Sequence, residues 1–313
     1  MDAASQLPPS TTRHARIRVW LHSLRPNTLP LSCAAIVSGS ALAAWRHAFS
    51  PGVALLALAT ATLLQILCNL ANDYGDVCKG ADAVGRIGPV RGLHTGAITL
   101  AQMRRALWLC GLLTVLCGSG LIAVAVRDPG AIATFALLGL LAIAAALGYT
   151  LGRHAYGYLG LGDVAVLVFF GWVGVAGGYA LQTGSLDASV FWPATASGLL
   201  AAAVLTINNL RDIESDPLAG KKTLAVRLGP QGARRYHALL IGTALLCLAL
   251  FTAFTLRHWS GWLFLLSAPP WIRLARQVLR EPSTQAMRPL LMPTVRTVLL
   301  THLLFVVGLL CTC

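Results

Sequence analysis

Eight stretches of this chain run for 17 to 26 residues without a single Asp, Glu, Lys or Arg: 26–45, 47–72, 106–126, 129–152, 164–186, 188–210, 236–256 and 297–313. Crossing the hydrocarbon core of a bilayer takes about 20 mostly apolar residues, and these runs have that length or come close to it. A ninth run, 258–272, is shorter and is interrupted by Pro269-Pro270. It is expected to continue past Ile272 by snorkelling its arginines toward water. Only 11% of the 313 residues are charged, against about 25% in soluble domains, and mean hydropathy is +0.70. This composition excludes disorder, a disulfide scaffold and a small stapled fold. The chain reads as a polytopic membrane protein with nine spans, its two termini on opposite sides.

A net charge of +13 first suggests nucleic acid as a partner, but so apolar a chain is not a soluble basic domain, and no nucleic-acid partner is expected. The bases sort by side instead. Twenty-one of the 24 Lys and Arg residues fall in segments that share the side of the N-terminus, leaving Arg46, Arg127 and Arg257 opposite. Positive charge is retained in the cytoplasm, so the N-terminus is expected there. The apolar stretch that follows it is long enough to span and shows no small-residue cleavage site, which argues against a cleavable signal peptide. Before it, Ile17, Trp20, Leu21 and Leu24 recur at helical spacing among Arg16, His22 and Arg25. Residues 1–25 therefore read as a tail and an amphipathic helix lying at the membrane interface, with anchoring as its simplest role. Residues 1–313 form a single integral-membrane domain on this reading.

The scarce acids carry the chemistry. Six of the eleven lie in two short clusters, Asp73, Asp76 and Asp82, then Asp212, Glu214 and Asp216. The clusters resemble each other: Asn69-Leu70-Ala71-Asn72-x3-Asp76 and Asn209-Leu210-Arg211-Asp212-x3-Asp216. Each follows an even-numbered span at its cytoplasmic end. If the helices run on, positions i, i+3 and i+7 put Asn69, Asn72 and Asp76 on one face, and Asn209, Asp212 and Asp216 likewise. Carboxylates at a membrane interface are costly unless paired or bound to a cation. Hard oxygen ligands beside a helix C-terminus, which is itself partly negative, suit Mg²⁺. Lys79, Arg86 and Arg91 follow the first cluster, and Arg211, Lys221 and Lys222 surround the second. Acids for metal beside bases for phosphate are the arrangement expected for a metal–diphosphate substrate. Solvated loop charge is the competing reading; the matching of two clusters favours a site.

These residues carry a resemblance. The first motif reads Asn72-Asp73-Tyr74-Gly75-Asp76-Val77-Cys78-Lys79-Gly80-Ala81-Asp82 and continues as Arg86-Ile87-Gly88-Pro89-Val90-Arg91-Gly92. The second reads Asn208-Asn209-Leu210-Arg211-Asp212-x3-Asp216-x3-Gly220-Lys221-Lys222-Thr223-Leu224. With Leu24-Arg25-Pro26-Asn27-Thr28-Leu29-Pro30 and Tyr156-Gly157-Tyr158-x-Gly160-Leu161-Gly162-Asp163, they make the chain resemble the UbiA superfamily of intramembrane prenyltransferases from about residue 20 onward. The 1,4-dihydroxy-2-naphthoate polyprenyltransferase branch is the most similar. Relatives acting on 4-hydroxybenzoate place the last aspartate of the first motif two residues earlier.

The resemblance implies an all-α fold of nine transmembrane helices around a central cavity, capped by the motif loops on the cytoplasmic side of a bacterial inner membrane. It implies an all-trans polyprenyl diphosphate as donor and 1,4-dihydroxy-2-naphthoate as acceptor. The product would be demethylmenaquinone, a menaquinone precursor, formed with loss of the ring carboxylate. Mg²⁺ would be held by Asn72, Asp76, Asp82, Asp212 and Asp216. The diphosphate would meet Asn72, Lys79, Arg86, Arg91, Arg153, Arg211, Lys221 and Lys222. Asp76, Asp212, Asp216 and Tyr149 form the expected catalytic set, with Asp73 below them as a ligand or an orienting base. Tyr149 reads equally well as an interfacial tyrosine. Asp163 is expected to order the glycine-rich loop or to contact the acceptor.

Other signals were weaker. A cation-coupled transporter would place ionisable residues near the midplane, and the runs contain no Asp, Glu, Lys or Arg. The eight cysteines form no C-x-x-C pair, there is no H-E-x-x-H, and Gly220-Lys221 is not a phosphate loop. Gly171, Gly174, Gly177 and Gly178 suggest close helix packing.

Overall fold

The computed structural model describes residues 13–80, 92–93 and 95–312. Among them every regular element is helical. Following the short α1 (Arg13–Leu24) come α2 (Leu29–Trp45), α3 (Pro51–Cys78), α4 (Leu100–Ala125), α5 (Pro129–Gly148), α6 (Gly162–Thr183), α7 (Ala188–Arg211) and α8 (Leu224–Leu256). Residues 259–280 form α9, and α10 covers Gln285–Leu310. Inside a bilayer each backbone N–H and C=O must be bonded within the protein, which a helix achieves along its own length.

Local sequence sets the helix starts. Thr99 and Gln102 form a reciprocal capping box at α4, which satisfies two otherwise orphaned backbone donors. Asp128 accepts from the Ala131 N–H at α5, where Pro129 occupies the first helical position. Pro51 does the same for α3, needing no donor where none could be used.

Seven helices among the described residues are long and apolar enough to cross a membrane. Joining α1 to α2, across a bend of 49°, makes eight. The expected ninth differs. Residues 259–267 wind as a 3-10 helix, and Ala268–Arg280 continues with Trp271, Leu274 and Val278 buried and Arg273, Arg276 and Arg280 exposed. Three arginines spaced along one side give an amphipathic element rather than an apolar one.

The helices are unequally buried. In α7, 72% of the most apolar window is buried, against 6% in α5, so α7 is the hub and α4–α5 an outer hairpin. Leu109, Leu112, Leu116, Leu137 and Leu140 stand exposed on that hairpin, as a surface facing lipid requires. Glycines bring α6 close to its neighbours: a Cβ on Gly171 would lie 2.5 Å from the Ala194 carbonyl oxygen, and one on Gly198 2.6 Å from that of Leu167. Within the glycine run, Gly171 and Gly174, the latter with a Cβ that would lie 3.1 Å from Ala35 Cβ, serve packing.

The amphipathic stripe of α1 splits in two. Trp20 and Leu24, with Val19, pack against the cluster containing Leu67, Leu70 and Met103, whereas Ile17 and Leu21 stay exposed. The helix leans on α3 with one side and leaves the other open.

Candidate active site

The polar site is built at the C-terminal ends of α3 and α7. Helix α3 stays helical through Cys78, so Asn69, Asn72 and Asp76 do share a face, and all three are buried. Each is held. The Asn69 amide donates to the Leu24 carbonyl at 3.0 Å, and the Thr150 hydroxyl donates to Asn72 Oδ1. Asp76 Oδ1 accepts from the Tyr158 hydroxyl and from Lys221 Nζ, both at 3.0 Å. Next to them Asp73, fully buried, pairs with Arg25 at 2.9 Å.

Helix α7 ends sooner. Asp212 is its cap residue (φ −96°, ψ 8°), and its carbonyl accepts from the Ser215 and Asp216 N–H groups. The chain then turns through Ser215–Leu218, and Asp216 C=O accepts the Lys221 N–H at 2.8 Å. Gly220 makes that turn with φ +73°, a left-handed conformation glycine adopts without strain. The helix does not run on as the single-face argument assumes, stopping at Arg211 between the first and second, yet Asn209, Asp212 and Asp216 all line one cavity. Arg211 makes a two-pronged ion pair with Asp212.

Tyr158 joins the two motifs. Its ring lies under two ammonium groups, Lys79 Nζ at 4.0 Å and Lys221 Nζ at 4.9 Å from the centroid. Its backbone carbonyl accepts the Lys222 N–H at 2.9 Å. The ring's negative face attracts cations, and its hydroxyl reaches the first-motif aspartate. Loss of water lowers the Lys79 pKa below its usual value, with the Asp76 carboxylate opposing that shift and Lys221 adding to it.

A cavity of about 730 Å³ opens beneath these groups. Asn72, Asp76, Asn208, Asp212, Asp216 and Lys221 form its polar end, with Tyr149, Tyr158, Asn209 and Arg211. Apolar and small residues of α2 to α6, among them Ala35, Ala61, Ala142, Phe169 and Gly174, line the remainder. Tyr149 faces this cavity, packs edge-on against Tyr156 at 5.4 Å and accepts the Gly157 N–H through its carbonyl. Burial, reinforced by Cys68, Asp163, Tyr156 and Asp216, pushes its phenol pKa up. The hydroxyl therefore stays protonated and able to donate.

Other expected residues fall elsewhere. Arg153 and Lys222 are exposed and do not line the cavity; Lys79 stands over the Tyr158 ring beside it. Asp82, Arg86 and Arg91 lie outside the described residues. Asp163 is buried beside Tyr236 and Thr206, where α6 meets α8 and α7. Sequence reasoning gave no role to Tyr158 or Arg25, although both stand in the motifs that carry the resemblance.

Among the described residues no three His, Cys, Asp or Glu side chains are gathered closely enough to hold a metal ion by themselves. Mg²⁺ seldom uses an all-protein cage; it takes one or two carboxylates with water and phosphate oxygens. The carboxylates of Asp76, Asp212 and Asp216 and the Asn72 amide, all at one end of one cavity, fit such a partial shell.

Residues 32–311 match the model of the UbiA prenyltransferase family. The chain is 56% identical over 294 residues to the 1,4-dihydroxy-2-naphthoate octaprenyltransferase of Escherichia coli (strain K12), covering 94% of this chain and 96% of that one. Its fold is similar to the apo structure of a UbiA homolog from Aeropyrum pernix K1, with TM-score 0.65, 20% identity, and 93% and 98% of the two chains covered. It is also similar to a UbiA homolog from Archaeoglobus fulgidus bound to GPP and Mg²⁺, with TM-score 0.59, 16% identity, and 92% and 99% covered. A family match over nearly the whole length, on a fold that brings both aspartate motifs to one cavity, means that this chain belongs to the UbiA prenyltransferase family.

Proposed function

We propose that this protein transfers a polyprenyl group from its diphosphate to 1,4-dihydroxy-2-naphthoate, giving the demethylated menaquinone precursor with loss of the ring carboxylate. The observation that carries this reading is one cavity whose polar end joins both aspartate motifs and whose walls along α2 to α6 are mostly apolar. The 56% identity to a naphthoate octaprenyltransferase supports the acceptor. The protein acts as one integral-membrane domain of nine spans, α2 to α10, in the bacterial inner membrane, with the amphipathic α9 spanning by turning its arginines toward water. Its N-terminus and the mouth of the site face the cytoplasm, in keeping with the distribution of its bases.

Asp76, Asp212 and Asp216, with Asn72 and Asp82, would hold Mg²⁺, whose positive charge would offset charge growing on the departing diphosphate. A metal–diphosphate complex bound to the relative from Archaeoglobus fulgidus is consistent with that role. The chain's own residues do the rest. Lys221 and Arg211 hold their ion pairs at the polar end of the cavity, ready to share charge with an arriving diphosphate; Lys79 adds to the positive field, and Arg86 and Arg91 of the first motif would do so too. Tyr149 donates a hydrogen bond. Charge stabilisation aimed at the leaving group acts where charge grows in the transition state. As the allylic C–O bond breaks, both electrons leave on the diphosphate, and the electron-rich naphthoate ring supplies the pair for the new C–C bond; the carboxylate then leaves as CO2, returning its bond pair to restore the aromatic quinol. The apolar walls keep water from the carbocation and receive the isoprenoid tail, which lies against lipid-facing helices.

The test uses purified protein in detergent with labelled polyprenyl diphosphate, Mg²⁺ and a panel of aromatic acids. Prenylated naphthoquinol is the expected product, lost on chelation and restored by Mg²⁺. Turnover of another acid, such as 4-hydroxybenzoate, with none of the naphthoate would overturn the acceptor assignment.

A further inference from the structure

Four Arg or Lys side chains and a histidine line the cavity: Arg18, Arg25, Arg211, Lys221 and His22. Three are committed to acids of the site, Arg25 to Asp73, Arg211 to Asp212 and Lys221 to Asp76. Arg18 and His22 have no ion-pair partner among the described residues. They lie four residues apart on α1, one turn above another on the same side, with Leu21 beside them on the cavity wall. The opposite side of α1, with Val19, Trp20 and Leu24, is packed on the protein. Helix α1 therefore presents an arginine and a histidine with no ion-pair partner among the described residues, and an apolar side chain, at the mouth of the cavity.

The proposed acceptor is a flat aromatic body with one carboxylate. Placing that carboxylate among Asp76, Asp212 and Asp216, beside a diphosphate, would set like charges a few ångströms apart in a poorly solvated site. A second anion needs its own cations, away from the motif acids. We propose that Arg18 and His22 form the subsite for the acceptor's carboxylate, with Leu21 against its ring and the ring directed toward the motif residues. This rests on the reading of the substrate as an aromatic acid. It gives α1 a part in substrate recognition beyond anchoring.

The experiment measures steady-state kinetics of the full-length protein in detergent, varying acceptor and donor separately, for Arg18→Gln, His22→Gln and the double variant. A charge-assisted hydrogen bond is worth about tenfold in binding. Each single variant should raise the acceptor KM about tenfold and the double variant more, with the donor KM unchanged. A second arm uses 1,4-dihydroxynaphthalene, which lacks the carboxylate: its inhibition constant against naphthoate turnover should be the same in wild type and variants. A rise in donor KM instead would assign the pair to the diphosphate and overturn the proposal. So would unchanged kinetics in detergent with a loss seen only in anionic-lipid vesicles, which would assign it to lipid headgroups. If wild type prenylates a different aromatic acid, the acceptor assignment fails, and the same KM shift measured with that acid still decides the subsite. If wild type prenylates no aromatic acid, both fall.

Discussion

The ends of α3 and α7 carry nearly the same sequence pattern and end in different structures. At α3 the helix runs past the motif, and Asn72 and Asp76 project from continuous backbone, each gripped by a side chain from another segment, Thr150, Tyr158 or Lys221. At α7 the helix stops at Arg211, and Asp212 and Asp216 sit on a turn, with Asp212 paired to its own neighbour. Asp76 is thus held by side chains distant in sequence, and Asp212 by its own neighbour. Two carboxylate sources that must close on one metal–diphosphate need not be equally rigid. A fixed wall and an adjustable one can accommodate a substrate whose charge distribution changes during the reaction.

The largest effects come from removing either wall. Asp76→Ala and Asp212→Ala should each lower kcat by about a thousandfold or more, with unchanged amounts of protein in the membrane, as read by quantitative immunoblot. Appreciable turnover in either variant would break the assignment. Lengthening the side chain separates the walls. Asp76→Glu, on continuous helix, moves its carboxylate away from Tyr158 and Lys221 with no backbone freedom to recover; Asp212→Glu sits where a turn can adjust. The former should lose about tenfold more activity than the latter. Equal losses would mean that the two helix ends are equally rigid.

Much of this was legible in the sequence. Charge-free runs give most of the helices, because hydrocarbon admits little else, and the matched acids give the location of the site. Two things were not legible. The i, i+3, i+7 rule assumes an unbroken helix, and nothing in Asn209-Leu210-Arg211-Asp212 announces the stop at Arg211, which depends on the turn closed by Asp216, Gly220 and Lys221. Tyr158 was invisible as a hub because its partners, Lys79, Asp76 and Lys221, are 63 to 82 residues away in sequence and meet it only once α3 and the loop after α7 converge. The short run at 258–272, with Pro269-Pro270 and the arginines after it, was already the departure from a clean span, and it forms the amphipathic element.

Tyr158 offers an intermediate effect. Tyr158→Phe keeps the ring under Lys79 and Lys221 and removes only the hydroxyl bond to Asp76. Tyr158→Leu removes both. A cation–π contact is worth about 0.5–2 kcal/mol, so the Leu variant should raise the donor KM several-fold to about tenfold beyond the Phe variant, with little change in acceptor KM. Equal donor KM values for the two variants would show that the ring does not set the position of the two ammonium groups.

The smallest effect is expected at the other end of α7, where Asp187 serves as a structural counterpart to Asp212. It sits just before Ala188 and accepts from the Ser189 N–H and hydroxyl at 2.9 and 2.8 Å, with Arg46 at 2.6 Å. The Ser189 hydrogen bonds, then Arg46, hold its carboxyl below the usual carboxylate pKa. A lowered folded-state pKa stabilises the fold while the group is ionised. That contribution is complete above the unfolded value of about 3.9 and disappears as pH falls through the lower folded one. The pair is partly exposed, so screening limits the contribution to under about 1 kcal/mol. Asp187→Asn should therefore keep full prenyl-transfer activity, unlike any change at Asp212. Its thermal unfolding midpoint should fall slightly at pH 7, and the gap to wild type should close as pH drops below about 4. A loss of turnover in Asp187→Asn would mean that the two ends of α7 are coupled through the helix, and that local pairing does not isolate its far end from the site.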